Sequence, residues 1–348
     1  MAEAAAAPFS PASVDEGLVG LGWDPLWEQA YEQAAAAHAT HPSRPGRIMR
    51  THRVGFDVRT PGGREFAVHK AERRDPRAAP ATGDWVVVAD LPEEPDTIIT
   101  RVLPRRTAVI RRDPADRALP QVLAANADTV AVVHGADRPV NARRLERQLA
   151  VAHGSDARVV IVLTKGDLPQ ADATARAIEG AVPDEPIVMT STATGRNLTA
   201  AAALIAGNQT LVLLGESGAG KSSLVNAVMG DMALATGGVR AGDAKGRHTT
   251  TSRELLAHPT GGAMLDTPGV RAIGLWPDAT DLGPVFPEVT RASDDCRFRD
   301  CTHHNEPGCA VAKAVSTGLV DPERLHAWHR LVEEIQSTSD QLEQKGWR

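Results

Sequence analysis

The chain has 348 residues, enough for two or three domains with separate cores, and 24% of them are charged, as in an ordinary soluble protein. A formal net charge of −6 argues against whole-molecule attraction to a polyanion, although the sixteen Lys/Arg against eleven Asp/Glu between Arg44 and Arg117 make that stretch locally basic. No apolar run approaches the roughly 18 residues that a membrane helix needs. The opening MAEAAAAPFSPAS lacks a basic n-region and carries Glu3, which argues against a secretory signal.

Residues 1–43 are Ala-rich and punctuated by Pro; LWEQAYEQAAAAH (Leu26 to His38) has helical composition, and its flanks read as a mobile extension. Over 44–115 the texture changes to short strand-like runs. GRIMRTHRVGFDVRT ends at the turn Pro61-Gly62-Gly63, and REFAVHK, DWVVVAD and DTIITRVL follow. This spacing predicts a small β-barrel, with a five-stranded OB-type topology and an SH3-like one in competition. Its basic surplus fits nucleic-acid contact and a solvated charged face equally well.

Over 116–277 strands alternate with helices. DTVAVVHG, ARVVIVLTKGD, PIVMTS and TLVLLGESGAGKSS read as strands, with NARRLERQLAVAHG, ADATARAIEGAV and NLTAAAALIAG as the helices between them. That alternation predicts a mostly parallel sheet covered on both faces. Residues 278–348 hold a Cys/His cluster followed by helical segments.

GESGAGKS fits G-x-x-x-x-G-K-[ST] at Gly215, Gly220, Lys221 and Ser222, after the apolar TLVLL and before SLVNAVMG. Backbone N–H groups from Gly215 through Glu216, Ser217, Gly218, Ala219 and Gly220 can close round phosphate oxygens. A helix starting at Lys221, Ser222 and Ser223 adds its favourable dipole. Lys221 would neutralise β/γ-phosphate charge and Ser222 would ligate Mg²⁺. The motif implies a nucleoside triphosphate without choosing the base.

TKGD, which is Thr164, Lys165, Gly166 and Asp167 with Leu168 next, ends a strand, where an open α/β sheet puts its ligand loops. A carboxylate at Asp167 can accept from guanine N1–H and the 2-amino group, a pair that adenine lacks. Leaving those donors unpaired is costly, so one Asp discriminates strongly. Lys165 would pack its stem over the base, and Ser191, Thr192 and Ala193 of TSTATGRNL can present N–H groups to guanine O6. DTPG supplies Asp266 for Mg²⁺ through water and Gly269 for the γ-phosphate. GRHTTT lies between, and one of its threonines, Thr250 ahead of Thr249, would ligate Mg²⁺. Position 270 is Val, which cannot orient water, so unaided hydrolysis should be slow. His248 is the nearest candidate for that task, with partner contact as the other reading.

The order along the chain is base reader, second base loop, phosphate loop, first switch, second switch. Moving the first two behind the last restores the usual order, and a circular permutation does this where old termini lie close together. The second switch then runs directly into the Cys/His cluster. There, C-x₄-C-x-H-x₅-C places Cys296, Cys301, His303 and Cys309 as a tetrahedral set suited to one structural Zn²⁺, with His304 as the alternative imidazole. The three cysteines all lie in this cluster, which argues against a disulfide framework and for a reducing cytoplasm. Arg297 and Arg299 beside them can face RNA phosphates.

The barrel, the permuted motifs GESGAGKSSLVN, GRHTTT and DTPGV, and the Cys/His spacing together resemble the RsgA/YjeQ family of small-ribosomal-subunit-dependent GTPases. The resemblance runs from about Gly46 to Cys309 and on into the C-terminal helices, with QVLAANADTVAVV and NARRLERQL as further matching stretches. It implies a multidomain α/β protein with an OB-type barrel, a circularly permuted P-loop GTPase domain and a zinc-binding helical C-terminal module. It also implies GTP hydrolysis stimulated by the small ribosomal subunit, a late role in maturation of that subunit, and binding to its rRNA. His248 would be the catalytic switch histidine, acting with Lys221 and Thr250. Thr164 departs from the Asn that usually opens the base reader, and the Ala-rich extension before Gly46 has no counterpart function. The competing readings are a permuted GTPase for another ribosomal particle, and a zinc-stapled RNA-binding protein using nucleotide structurally. An ATP-using kinase would leave TKGD without a task. A monomer without membrane attachment is expected.

Overall fold

A computed structural model of the protein describes residues 16–36, 41–69, 76–92, 94–114, 119–230, 253–267, 273–304 and 306–344. Near the N-terminus β1 (Ser43–Thr51), β2 (Phe56–Thr60), β3 (Gly63–Val68), β4 (Trp85–Ala89) and β5 (Thr97–Val102) are hydrogen-bonded in the order β1-β2-β3-β5-β4, and β4 returns to β1. Only the β3–β5 pair is parallel. Closure is possible because β1 serves two neighbours. Ser43–Arg47 pair with β4, while Arg47–Thr51 pair with β2 across a register break between Ile48 and Arg50, a bulge of the kind that bends a strand round a barrel. Ile48, Val58, Ala67, Val86, Val88 and Ile99 fill the interior. The result is the OB-type barrel, not the SH3-like alternative.

β6 (Ala108–Arg112) and β7 (Pro120–Ala125) form a separate antiparallel hairpin. The chain then enters a parallel sheet of β8 (Thr129–Gly135), β9 (Arg158–Thr164), β10 (Ile187–Met189), β11 (Thr210–Gly215) and β13 (Ala263–Asp266), ordered β10-β9-β8-β11-β13. Alternate residues of the central strands point to two different cores. Val130, Val132, Ile161, Leu163, Val212 and Leu214 meet α3 (Ala142–His153) and α4 (Ala171–Ala181), and Ala131, Val133, Val160, Val162, Leu211 and Leu213 meet α5 (Leu198–Ala203) and α6 (Lys221–Met229). Burial on both faces explains why these strands read as unbroken apolar runs.

Besides the β6–β7 hairpin, two features go beyond the sequence reading. The first is β12 (Glu254–Ala257), a four-residue strand antiparallel to β13 that also meets β1 at Arg50↔Glu254, so that barrel and parallel sheet form one eleven-stranded sheet. The second lies before the barrel, where composition suggests a helix over Leu26–His38 with mobile flanks. There α1 (Glu16–Val19) and α2 (Pro25–Ala36) pack firmly. Trp23, Trp27 and Tyr31, spaced by four, share one buried face against Trp85, with the Trp23 and Trp85 ring centroids 4.8 Å apart. Arg47, only 1% exposed, crosses the Trp85 ring and donates to the carbonyls of Leu21, Gly83 (3.3 Å) and Asn126 (3.1 Å). One side chain thereby ties the N-terminal helices, the barrel and the approach to β8.

The C-terminal part comprises α7 (Pro287–Ser293), α8 (Ala310–Ser316) and α9 (Pro322–Gln344). Residues 273–276, between β13 and this part, are gripped from three sides. Arg112 of β6 donates its N–H to Gly274 O at 3.0 Å, Arg147 of α3 reaches Ile273 O at 3.2 Å, and Glu334 of α9 accepts from Leu275 N at 3.4 Å and Arg147 at 2.5 Å. Arg324 of α9 bonds Glu146 of α3 at 2.9 Å and Glu288 of α7 at 2.7 Å. Among the described residues no helix is long and apolar enough to cross a membrane.

Candidate nucleotide site and metal centre

Strands β8, β9 and β10 follow one another outward in one direction, and β11 starts on the other side of β8. The reversal opens a crevice at the carboxyl ends of β8 and β11, the usual ligand position in an open parallel sheet. The loops after β8, β9, β10 and β11 emerge at that end, where β13 also ends.

The phosphate loop joins β11 to α6. Gly215, Gly218 and Gly220 have φ of +151°, +74° and +94°, and a Cβ on Gly215 would lie 2.5 Å from Val133 O. Glycine is therefore required at the start of the loop by contact with β8 as well as by conformation. Ala219 is buried; Glu216 and Ser217 are half-buried. Lys221 opens α6 and folds its ammonium back onto Gly215 O (2.9 Å) and Glu216 O (3.0 Å); burial pulls its pKa below the ordinary lysine value. Ser222 donates to Asp266 Oδ2 at 2.6 Å, and Ser223 follows on the exposed side of the helix. Asp266 Oδ1 is buried with no hydrogen-bond partner, and burial raises the pKa of this carboxyl against the opposing Ser222 bond. A hydroxyl and a half-buried carboxylate with one buried, orphaned oxygen, facing each other at the end of a phosphate loop, are donors that fit a hard divalent cation.

The base-reading loop is locked to the phosphate loop. Thr164, 3% exposed, donates its hydroxyl to Ala219 O at 2.5 Å and lies 3.2 Å from His134 O. A Cβ on Gly220 would lie 2.8 Å from that hydroxyl, so the two loops touch. Lys165 takes φ +59° and places its ammonium 3.1 Å from Gly218 O and 2.7 Å from Asp137 Oδ2. Asp167 is exposed, and the buried Ser191 donates to its Oδ1 at 2.5 Å, holding the carboxyl below the usual range. Gly166 N–H bonds Thr190 O at 2.8 Å, and Arg196 bonds Gly166 O at 3.0 Å, joining the loop after β9 to the loop after β10. Thr192 and Ala193 form the exposed turn beyond Ser191, and Leu168 turns the chain toward α4 through its N–H bond to Lys165 O at 3.1 Å.

The structure thus brings together Thr164, Lys165, Asp167, Ser191, the phosphate loop, Ser222 and Asp266. His248, Thr249, Thr250 and Gly269 lie outside the described residues. Sequence reading missed Asp137 and Arg138, which follow β8 and sit between the base-reading and phosphate loops. No motif marks them; the signal is that a loop leaving the central strand at a switch point must border the crevice.

In the C-terminal part the ligand atoms of Cys296, Cys301, His303 and Cys309 all lie within 4.8 Å of one another, with His303 Nδ1 at 3.7 Å from both Cys296 Sγ and Cys309 Sγ. Three sulfurs and one imidazole at these separations match the edges of a tetrahedron with metal–ligand bonds of about 2.0–2.3 Å. His303 takes φ +63° to turn inward. His304 points elsewhere and stacks on His329 at 4.0 Å, so the imidazole grouped with the three sulfurs is that of His303. Glu306 steadies the loop by accepting from Thr302 N at 2.8 Å, from the Thr302 hydroxyl, and from His304 N at 3.0 Å; chiefly through that hydroxyl its pKa falls to about 2.

A family profile described as RsgA GTPase matches residues 102–276. The small ribosomal subunit biogenesis GTPase RsgA of Streptomyces avermitilis is 41% identical over 335 residues, covering 94% of this chain and 88% of that protein. The protein of the same name from Methanosarcina acetivorans is 38% identical over 322 residues, covering 92% and 86%. The crystal structure of YjeQ from Thermotoga maritima superposes with a TM-score of 0.60 at 25% identity, over 84% of this chain and 99% of that one. YloQ, described as a circularly permuted GTPase, shares the fold with a TM-score of 0.57 at 24% identity, over 86% and 97%. The permuted order of loops round the crevice and these near full-length matches have one explanation: the chain belongs to the RsgA GTPase family and hydrolyses GTP.

Proposed function

We propose that this GTPase acts in biogenesis of the small ribosomal subunit, gripping its rRNA with barrel and metal module while the subunit stimulates hydrolysis. The observation that carries this reading is an exposed aromatic side chain on each of those parts, with an exposed arginine in the turn that Phe66 overlies and arginines flanking Phe298. On the barrel, Phe66 of β3 lies over Gly55 in the β1–β2 turn, whose Arg53 is exposed. On the metal module, Phe298 is 42% exposed, with the Arg297 guanidinium 5.3 Å from its ring and Arg299 following. Aromatic faces beside arginines stack unpaired bases and neutralise phosphates, and the names of the curated relatives supply the particle.

In this reading residues 44–115 and 278–348 hold RNA, and residues 116–277 bind and hydrolyse GTP. Asp167 reads guanine, the Lys165 stem covers the base, and N–H groups of Ser191, Thr192 and Ala193 meet its O6. Lys221 and the loop Gly215–Gly220 take the phosphates, with Gly269 at the γ-phosphate and His248 at the attacking water. Ser222 and Thr250, with Asp266 through water, would hold Mg²⁺, which when bound supplies charge neutralisation to the phosphates. The cysteine–histidine set would hold one structural Zn²⁺, and the protein works as a cytoplasmic monomer. Co-sedimentation with purified ribosomal subunits and a non-hydrolysable GTP analogue tests it. Binding should favour the small subunit and weaken in Phe66→Ala and Phe298→Ala; equal retention by both subunits would contradict it.

A further inference from the structure

Arg138 follows β8 and touches the phosphate loop from outside. Its Nη2 donates to Gly218 O at 2.8 Å and its Nη1 to Ser217 O at 3.1 Å. Gly218 O also receives the Lys165 ammonium at 3.1 Å, so a single carbonyl accepts from two cations on two different loops. Asp137 lies between those cations, 2.7 Å from Lys165 Nζ and 3.4 Å from Arg138 Nε. On the other flank Glu216 lies 3.8 Å from Arg138 and 2.6 Å from Arg144 of α3. A Cβ on Gly218 would sit 3.1 Å from the Arg138 guanidinium, so the glycine makes room for the contact.

We infer that Arg138 is a positioning residue for nucleotide, setting the orientation of two phosphate-loop peptides before any phosphate arrives; this rests on the assignment of the crevice as the guanine-nucleotide site. A trans peptide points its C=O and N–H in opposite directions. Carbonyls of Ser217 and Gly218 held outward by a rigid planar fork leave the N–H groups of Gly218 and Ala219 turned to the opposite side of the loop. There Ala219 N–H has only a 3.3 Å contact with Glu216 O. Donors aimed in advance spare the ligand the entropy of ordering them, and a guanidinium suits the task because it fills two carbonyls at once. The contact serves GDP and GTP alike, since it organises the loop and touches no reacting atom.

The test is titration of Arg138→Ala, Arg138→Gln, Arg138→Lys and Lys221→Ala with N-methylanthraniloyl-GDP and Mg²⁺, together with steady-state GTP turnover and nucleotide-free melting curves. Arg138→Ala should bind GDP about ten-fold more weakly, the scale of one charge-assisted hydrogen bond, since Ser217 O loses its cation while Gly218 O keeps Lys165. KM should rise in step while kcat at saturating GTP stays within about two-fold. Arg138→Gln should be intermediate, Arg138→Lys should recover part of the affinity, and melting should not change. Wild-type affinity in the Arg138 variants beside lost binding in Lys221→Ala would remove Arg138 from the site and leave the site standing. Wild-type affinity in Lys221→Ala would refute the site itself. A fall in kcat with KM unchanged, or an affinity loss matched by a lower melting temperature in all three Arg138 variants, would also overturn the inference.

Discussion

Thr164 is the residue whose chemistry changes most between sequence and structure. By sequence it is an imperfect opening to the base reader, a hydroxyl where an amide usually stands. In the fold its hydroxyl is buried and latched to Ala219 O at 2.5 Å, so one short side chain ties base loop to phosphate loop. Thr164→Val keeps shape and loses the donor, leaving a buried carbonyl unpaired. It should cost about 1–2 kcal/mol of GDP affinity, read by equilibrium titration. Asp167→Asn should shift preference from guanosine to xanthosine diphosphate, because an amide now faces the base edge. The Ser191 hydroxyl holds the Asp167 carboxyl below its ordinary range. The carboxylate form is therefore kept as pH falls, and guanine selectivity should be flat from neutrality to about pH 5, near the top of ordinary carboxyl titration. A selectivity that fades between those values would mean that Asp167 is not so held.

Among the elements, legibility followed sequence distance. The phosphate loop and base-reading loop were readable because each is a short string at a strand end whose residue types have one chemical use. The apolar runs of β8, β9 and β11 were readable because burial on both faces leaves no polar alternation. β12 was not: four residues cannot announce a strand, and its partners β13 and β1 are set by tertiary contact. Before the barrel the helix at Leu26–His38 was readable from composition and α2 spans Pro25–Ala36, but α1 and the docking of both were not, because alanines outweigh three aromatics although Trp23, Trp27 and Tyr31 recur at a helical spacing. Their docking depends on Arg47, a buried guanidinium that serves three carbonyls and is held down at a pKa of about 10 by burial. Arg47→Ala should destabilise the protein by about 3 kcal/mol or more in urea unfolding, because it strands the carbonyls of Leu21 and Asn126, while Gly83 O keeps Asn126 Nδ2 at 3.2 Å, and opens space beside Trp85. A loss under about 0.5 kcal/mol, the scale of a surface substitution, would contradict that role.

For the whole molecule, permutation has a mechanical consequence. Downstream of β13, residues 273–276 sit in a clasp formed by β6, α3 and α9, ahead of the metal module, whose His303 packs on Trp328 of α9 at 5.2 Å. Nucleotide site and metal module are therefore joined by covalent continuity and by Arg147–Glu334, a coupling visible in motif order but not in its side chains. Elemental analysis by mass spectrometry should find one zinc per chain. Its removal by chelation should loosen the cysteine-rich loop in hydrogen exchange while GDP binding persists, because no cysteine borders the crevice. Parallel loss of GDP binding would make the two sites one folding unit. The most direct test of the central claim is steady-state GTP turnover with purified small or large ribosomal subunits titrated in. The account predicts slow turnover alone, a many-fold rise that saturates with small subunits, and little response to large ones; a rate indifferent to small subunits would contradict it.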